Sequence, residues 1–238
     1  NTSHREALLA PGRSSLTYRD LNIQIDDMRQ FLNSHGIGIN DRVAVVLPNG
    51  PEMALAFLGV AAVSTCAPLN PAYRERELDF YLGDINAKAL VVASGADSPA
   101  VHVARSREIP VIELTPRHGD AAGLFRLEYF GPPVTTLTHG GFAGPDDTAL
   151  ILHTSGTTAR PKIVPLLQRN IMRSARNVDH ALQLTERDRC LNVMPLFHIH
   201  GLIAALLASL HAGGSIVCTS GYSREEFPRI LEKFRPTW

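Results

Sequence analysis

The sequence predicts an α/β protein of βαβ-type, mostly parallel sheets with flanking helices, and three observations carry that prediction. Short runs of β-branched and aliphatic residues alternate with longer helical stretches along the whole chain. The strand-like runs are continuously apolar rather than alternating, as in strands covered on both faces. Gly and Pro end the segments, as Pro48-Asn49-Gly50-Pro51 does.

Taken in order, Arg42-Val43-Ala44-Val45-Val46-Leu47 is a buried strand, ended by Pro48-Asn49-Gly50-Pro51. Residues 52–63 are mainly Ala, Leu, Met and Phe, a helix apolar nearly all round that must be covered on more than one side. An acid-rich helix at 75–85, a strand at 89–93, a helix at 100–107 and a strand at 111–114 continue the rhythm. Between Thr115 and Pro145 periodicity gives way to scattered Gly and Pro, which sets a boundary. Residues 1–145 then form a first α/β subdomain with a Gly/Pro-rich connection, and 146–238 the start of a second. The second contains a strand at 148–154, a helix at 168–181, a strand at 190–194, a helix after Gly201, a strand at 215–218 and a helix at 223–234. The Arg235-Pro236 step leads into another extended element.

The bulk properties exclude several function classes. With 23 basic and 23 acidic residues among 238, no charge excess points to nucleic acid. No apolar run approaches the ~20 residues of a membrane span. The three cysteines, Cys66, Cys190 and Cys218, form no CxxC pair and read as buried thiols in a reducing compartment, with a cytoplasmic location expected. The first residues, Asn1-Thr2-Ser3-His4-Arg5, show neither an initiator Met nor a signal-peptide core, and the expectation is a fragment of a longer chain.

The segment richest in chemistry is Leu150-Ile151-Leu152-His153-Thr154-Ser155-Gly156-Thr157-Thr158-Ala159-Arg160-Pro161-Lys162-Ile163-Val164, a strand entering a hydroxyl-rich turn. Hydroxyls and backbone N–H groups in such a turn donate to phosphate oxygens, Gly156 permits close approach, and Lys162 adds a compact cation. A Ser/Thr-rich surface turn is the plainer alternative, because these residues favour turns for local reasons. The Gly-Lys-Ser/Thr ending of a P-loop is missing, as is any GxGxxG after a strand.

The run from Thr154 to Val164 resembles the phosphate-binding signature of the adenylate-forming (AMP-binding) superfamily, Thr-Ser-Gly-Thr-Thr-Gly-x-Pro-Lys-Gly-Val. Nine of its eleven positions agree, the variable one included. Leu16-Thr17-Tyr18-Arg19-Asp20-Leu21 is similar to an early family segment, and Leu47-Pro48-Asn49 through Ala67-Pro68-Leu69-Asn70-Pro71 to its strand-helix-strand with an Asn-Pro ending. Pro195-Leu196-Phe197-His198-Ile199-His200-Gly201 resembles its Pro-Leu-Phe-His-x-x-Gly. Within the superfamily, His153, Arg160-Pro161-Lys162 and Val164-Pro165-Leu166 most resemble the oxalyl-CoA synthetase and peroxisomal acyl-CoA synthetase branch.

The resemblance implies an acyl-CoA synthetase, with a peroxisomal location as the alternative in a eukaryote. A small carboxylic or fatty acid and ATP give acyl-AMP and pyrophosphate, and the acyl group then passes to coenzyme A. By position, Thr154, Ser155, Gly156, Thr157, Thr158 and Lys162 would hold the ATP phosphates, Thr157 would contact Mg²⁺, and His198 and Lys162 would act at the reacting centre. The family's later segments, with its adenine-contacting region, Mg²⁺-binding glutamate, ribose-binding aspartate and C-terminal catalytic lysine, would lie in a C-terminal part of the same chain. The residues 1–238 alone are therefore expected to be inactive, and the alternative is a truncated or degenerate, non-catalytic binding module of the same fold. Ala159 and Ile163 depart from the signature, and an Ile163 forced to φ > 0 would be strained. His198 and His200, one residue apart, also suit a metal pair, but no third ligand is near in sequence.

Overall fold

The computed structural model describes residues 2–133, 136–137, 139–154 and 161–238. In chain order the elements are β1 (Glu6–Leu9), β2 (Leu16–Thr17), α1 (Tyr18–Ser34), β3 (Arg42–Val46), α2 (Pro51–Val63), β4 (Thr65–Pro68), α3 (Glu75–Asp84), β5 (Ala89–Ala93), α4 (Pro99–Ser106) and β6 (Val111–Pro116). They continue with β7 (Phe125–Phe130), β8 (Thr148–His153), β9 (Ile163–Leu167), α5 (Gln168–Leu182) and β10 (Arg189–Asn192). A π-helical segment, His200–Leu207, runs into the short α6 (Ala208–His211), and β11 (Ser215–Cys218) and α7 (Phe227–Phe234) follow.

Two sheets result. Seven strands lie in the order β7-β6-β5-β3-β4-β8-β9, and four in the order β10-β11-β1-β2. In the larger sheet every pair from β6 to β8 is parallel, while β7 and β9 close the edges antiparallel. β3 shows why its run is uninterrupted: Val43 and Val45 enter one core, Ala44 and Val46 the other. The first core lies between the sheets and contains α1, α2, part of α5 and the π-helical segment. The second lies under α3 and α4. α7 covers the far face of the smaller sheet through Ile230 and Phe234 against Leu9 and Val217. Ten residues of α2 are buried, as its all-round apolar character requires.

The two sheets do not part at 145/146. β8 and β9 extend the larger sheet, and β1 and β2 complete the smaller one. The glycine- and proline-rich stretch also holds a strand that its composition hides. β7 pairs with β6 from Val111↔Phe130 to Pro116↔Phe125, its residues alternating toward and away from the core as an edge strand does. At the other end, Thr237 N–H donates to Arg189 O at 2.8 Å and Leu191 N–H to Trp238 O at 2.9 Å, so the extended segment after Pro236 runs beside β10.

All three cysteines are free and buried. Burial pushes the Cys66 and Cys218 thiols far above their usual range and Cys190 up to about 11, so none is a thiolate near neutrality. Among the described residues no helix is long and apolar enough to cross a membrane.

Candidate active site

β8 and β9 form the root of the hydroxyl-rich turn. His153 is in register with Ile163 at the last rung of the ladder. One step further, Thr154 N–H donates to Lys162 O at 3.0 Å, and Lys162 N–H donates to Thr154 Oγ1 at 3.3 Å. The threonine and the lysine therefore face each other across the hairpin, both exposed. Ser155, Gly156, Thr157 and Thr158 lie outside the described residues, as do Ala159 and Arg160. Ile163 belongs to β9 and is absent from the residues with positive φ, so it has the extended backbone that suits a β-branched side chain. Its side chain packs against the core beneath α3.

A cavity of about 380 Å³ opens beside the hairpin root. One wall is built on regular elements: His153 and Leu152 from β8 with Thr154 just after it, Val164 and Leu166 from β9, Tyr81 from α3, and Tyr73 just before that helix. Tyr73 stacks on Tyr81 at 4.9 Å, and the His153 ring meets Tyr81 edge-on at 4.6 Å. Behind them, His153 Nε2 lies 3.1 Å from Asp84 Oδ2. Burial, aided by hydrogen bonding to Tyr81, pushes the Tyr73 phenol up to about 12, so it stays a neutral donor.

The opposite wall is a loop carrying Phe197, His198 and Ile199. Its anchor is Leu196, which is buried and donates its N–H to Asn49 Oδ1 at 2.9 Å. Asn49 Nδ2 in turn donates to Thr219 O at 2.9 Å, so one side chain after β3 ties the ends of both sheets to this loop. His198 O accepts from Leu202 N–H at 3.1 Å, which starts the π-helical segment. Gly201 is required there: a Cβ would sit 2.5 Å from Pro195 O, a backbone atom that cannot step aside.

Thr154 and His198, from segments far apart in sequence, thus share one cavity. Lys162 stands at the hairpin root but does not line the cavity, and neither does His200. Among the described residues no group of three His, Cys, Asp or Glu side chains is assembled to hold a metal. Asp84, Tyr73 and Tyr81 are the residues that sequence reasoning missed. The helical spacing of Tyr81 and Asp84 puts them on one face, but nothing local says that this face meets β8. Asn49 was visible only as part of a strand-ending turn.

The AMP-binding enzyme family matches residues 1–238. The chain belongs to that family. Among the AMP-binding relatives, the oxalate–CoA ligase of Arabidopsis thaliana is 37% identical over 238 residues, covering 98% of this chain and 46% of that protein. The oxalate–CoA ligase of Saccharomyces cerevisiae is 35% identical over 270 residues, covering 100% and 49%. The chain spans about half the length of these relatives. In three dimensions it is similar to apo MatB from Rhodopseudomonas palustris, with a TM-score of 0.80, 22% identity and coverage of 98% of this chain and 45% of that one. It is also similar to o-succinylbenzoate–CoA synthetase (MenE) from Bacillus subtilis in complex with ATP and magnesium ion, with a TM-score of 0.76, 25% identity and coverage of 98% and 59%. The chain is thus a fragment of an AMP-binding family member, similar along its whole length to about half of proteins named CoA ligases.

Proposed function

We propose that this chain carries the phosphate-binding half of an ATP-dependent acid–thiol ligase. Such an enzyme joins a carboxylate to ATP as acyl-AMP with release of pyrophosphate, then passes the acyl group to coenzyme A. The observation that carries this reading is the convergence of Thr154 and His198 on one cavity beside the Thr154–Lys162 root, within a chain that matches the AMP-binding family from end to end. A small dicarboxylate of the oxalate kind is the acid we favour, on the strength of the two oxalate–CoA ligase relatives and the modest cavity.

In this reading the Thr154 to Thr158 hydroxyls and the backbone N–H groups of residues 155–158 cradle the phosphates and Lys162 offsets their charge. His198 orients the carboxylate toward the α-phosphate as an imidazole donor. The lysine needs no place in the cavity itself, since the phosphates would extend along the hairpin on which it stands. Bound Mg²⁺ would neutralise charge on the leaving pyrophosphate, with Thr157 the loop's contact to it. CoA and the C-terminal part of the chain are partners in the second half of the reaction.

Acid-dependent ATP–pyrophosphate exchange, measured with a panel of carboxylates on the full reading frame containing residues 1–238, tests this. Exchange driven best by oxalate-sized diacids is expected, with none above a no-protein control for residues 1–238 alone. Lys162→Ala in the full frame should lower the rate about 100-fold or more while the thermal midpoint holds. No acid-dependent exchange, or a frame that stops near residue 238, favours a non-catalytic binding module.

A further inference from the structure

The cavity wall holds one pair that the proposed reaction does not use, His153 with Asp84. His153 is the last residue of β8, and its ring is held from three directions. Asp84 Oδ2 lies 3.1 Å from Nε2, Tyr81 packs edge-on at 4.6 Å, and Phe80 lies at 6.3 Å. Only 8% of the side chain is exposed. The next residue along the chain, Thr154, donates its N–H to Lys162 O and accepts Lys162 N–H at Oγ1. The orientation of Thr154 toward the cavity is thus set from one side by Lys162 and from the other by the seat of His153.

Asp84 is a fixed partner. It ends α3, flanked by Leu82 and Ile85, both fully buried. Arg42 Nη1 donates to Ile85 O at 2.9 Å, and Arg107 binds Asp79 at 2.7 Å one turn earlier. A carboxylate at a helix C-terminus faces the negative end of the helix dipole, so the imidazole N–H offsets an otherwise unfavourable charge. The sequence separates these two residues by a whole βαβ unit, which is why no motif contains them.

We infer that His153, clamped by Asp84, is a positioning residue that fixes Thr154 opposite Lys162 and so sets the geometry in which the hairpin root meets a nucleotide phosphate. This rests on the nucleotide reading above. A buried histidine that merely fills space would affect stability alone, whereas a clamp affects nucleotide affinity and depends on the donor.

The test uses the full reading frame and two readouts, ATP KM in acid-dependent exchange and equilibrium binding of a fluorescent ATP analogue, each with the thermal midpoint. His153→Phe keeps the aromatic contact with Tyr81 and removes the donor; ATP KM and analogue Kd should rise about tenfold with kcat within about twofold. His153→Gln, which retains an N–H donor, should recover to within about threefold of the parent. Asp84→Leu should match His153→Phe, and the double variant should be no worse than either, because one interaction is lost only once. If His153→Phe folds poorly, the isosteric Asp84→Asn takes its place, with a threefold to fivefold rise expected, of the order of weakening one charge-assisted hydrogen bond.

Unchanged nucleotide affinity in a folded variant, equal behaviour of Phe and Gln at 153, or additive effects in the double variant would each overturn the clamp. A parent that binds the analogue but shows no exchange overturns the ligase reading alone, and the clamp still stands or falls on analogue Kd. A parent that binds no ATP overturns both.

Discussion

The two walls of the cavity are built on opposite plans. One hangs on β8, β9 and α3, where Tyr73, Tyr81 and His153 support one another and Asp84 braces them from behind. The other is a loop anchored by the buried Leu196, held through Asn49, with Phe197, His198 and Ile199 reaching outward. A wall on regular elements keeps its shape through packing. A wall on a loop keeps its shape through a few directional bonds and one close backbone contact. Side chains at the tip of the second are therefore free to serve chemistry, and those of the first serve to hold it in place.

The sharpest way to break this contrast is His198→Ala in the full reading frame. Because the ring contacts Phe197 and solvent rather than the core, exchange activity should fall about 100-fold with little change in thermal midpoint. A large loss of stability would mean that the loop wall is load-sharing after all. A smaller effect is expected from Gly201→Ala, whose new Cβ meets Pro195 O at 2.5 Å. It should cost about 1–3 kcal/mol by overpacking and displace the His198 loop, readable as a lowered midpoint together with a raised KM for the acid. Unaltered stability would show that the loop gives way freely.

The smallest effect concerns the rigid wall alone. Tyr73 has its phenol raised from the usual 10.0 to about 12, chiefly by burial, and Tyr18, outside the cavity, is raised likewise. A folded-state pKa above the unfolded one means that the native state holds its proton longer. Both contributions are whole below about pH 10 and are lost as pH climbs through about 12. The unfolding midpoint, followed by circular dichroism, should drop across that window. Tyr73→Phe should flatten part of the drop and His198→Ala none of it; equal slopes in all three proteins would remove Tyr73 from the account.

How much of this was legible in the sequence follows from what is local. Val43 to Val46 announced a strand buried on both faces, and α2 announced a helix covered all round, because each pattern lies within one segment. β1 and β2 went unassigned, being four and two residues long and stable only against each other and β11. β7 was lost to the glycines and prolines around it, and β9 to Pro165, which an edge strand tolerates and a central one does not. The motifs named Thr154 and His198, which share the cavity, Lys162, which faces Thr154 across the hairpin without lining it, and the strand entering the turn. The strain foreseen at Ile163 does not arise, since that residue continues a β-ladder rather than turning. Asp84 was invisible, because its meaning exists only once α3 lies across the end of β8.

The place of β1 has a consequence for how the molecule is made. This strand sits inside the smaller sheet, with β2 on one side and β11 on the other, Leu8 opposite Ile216. During synthesis it emerges well before β11, so one flank stays open until the ribosome has reached residue 216. The seven described strands of the larger sheet are all made by residue 167 and can assemble well before that. An apolar strand waiting so long for its neighbour is where a chaperone would be most needed.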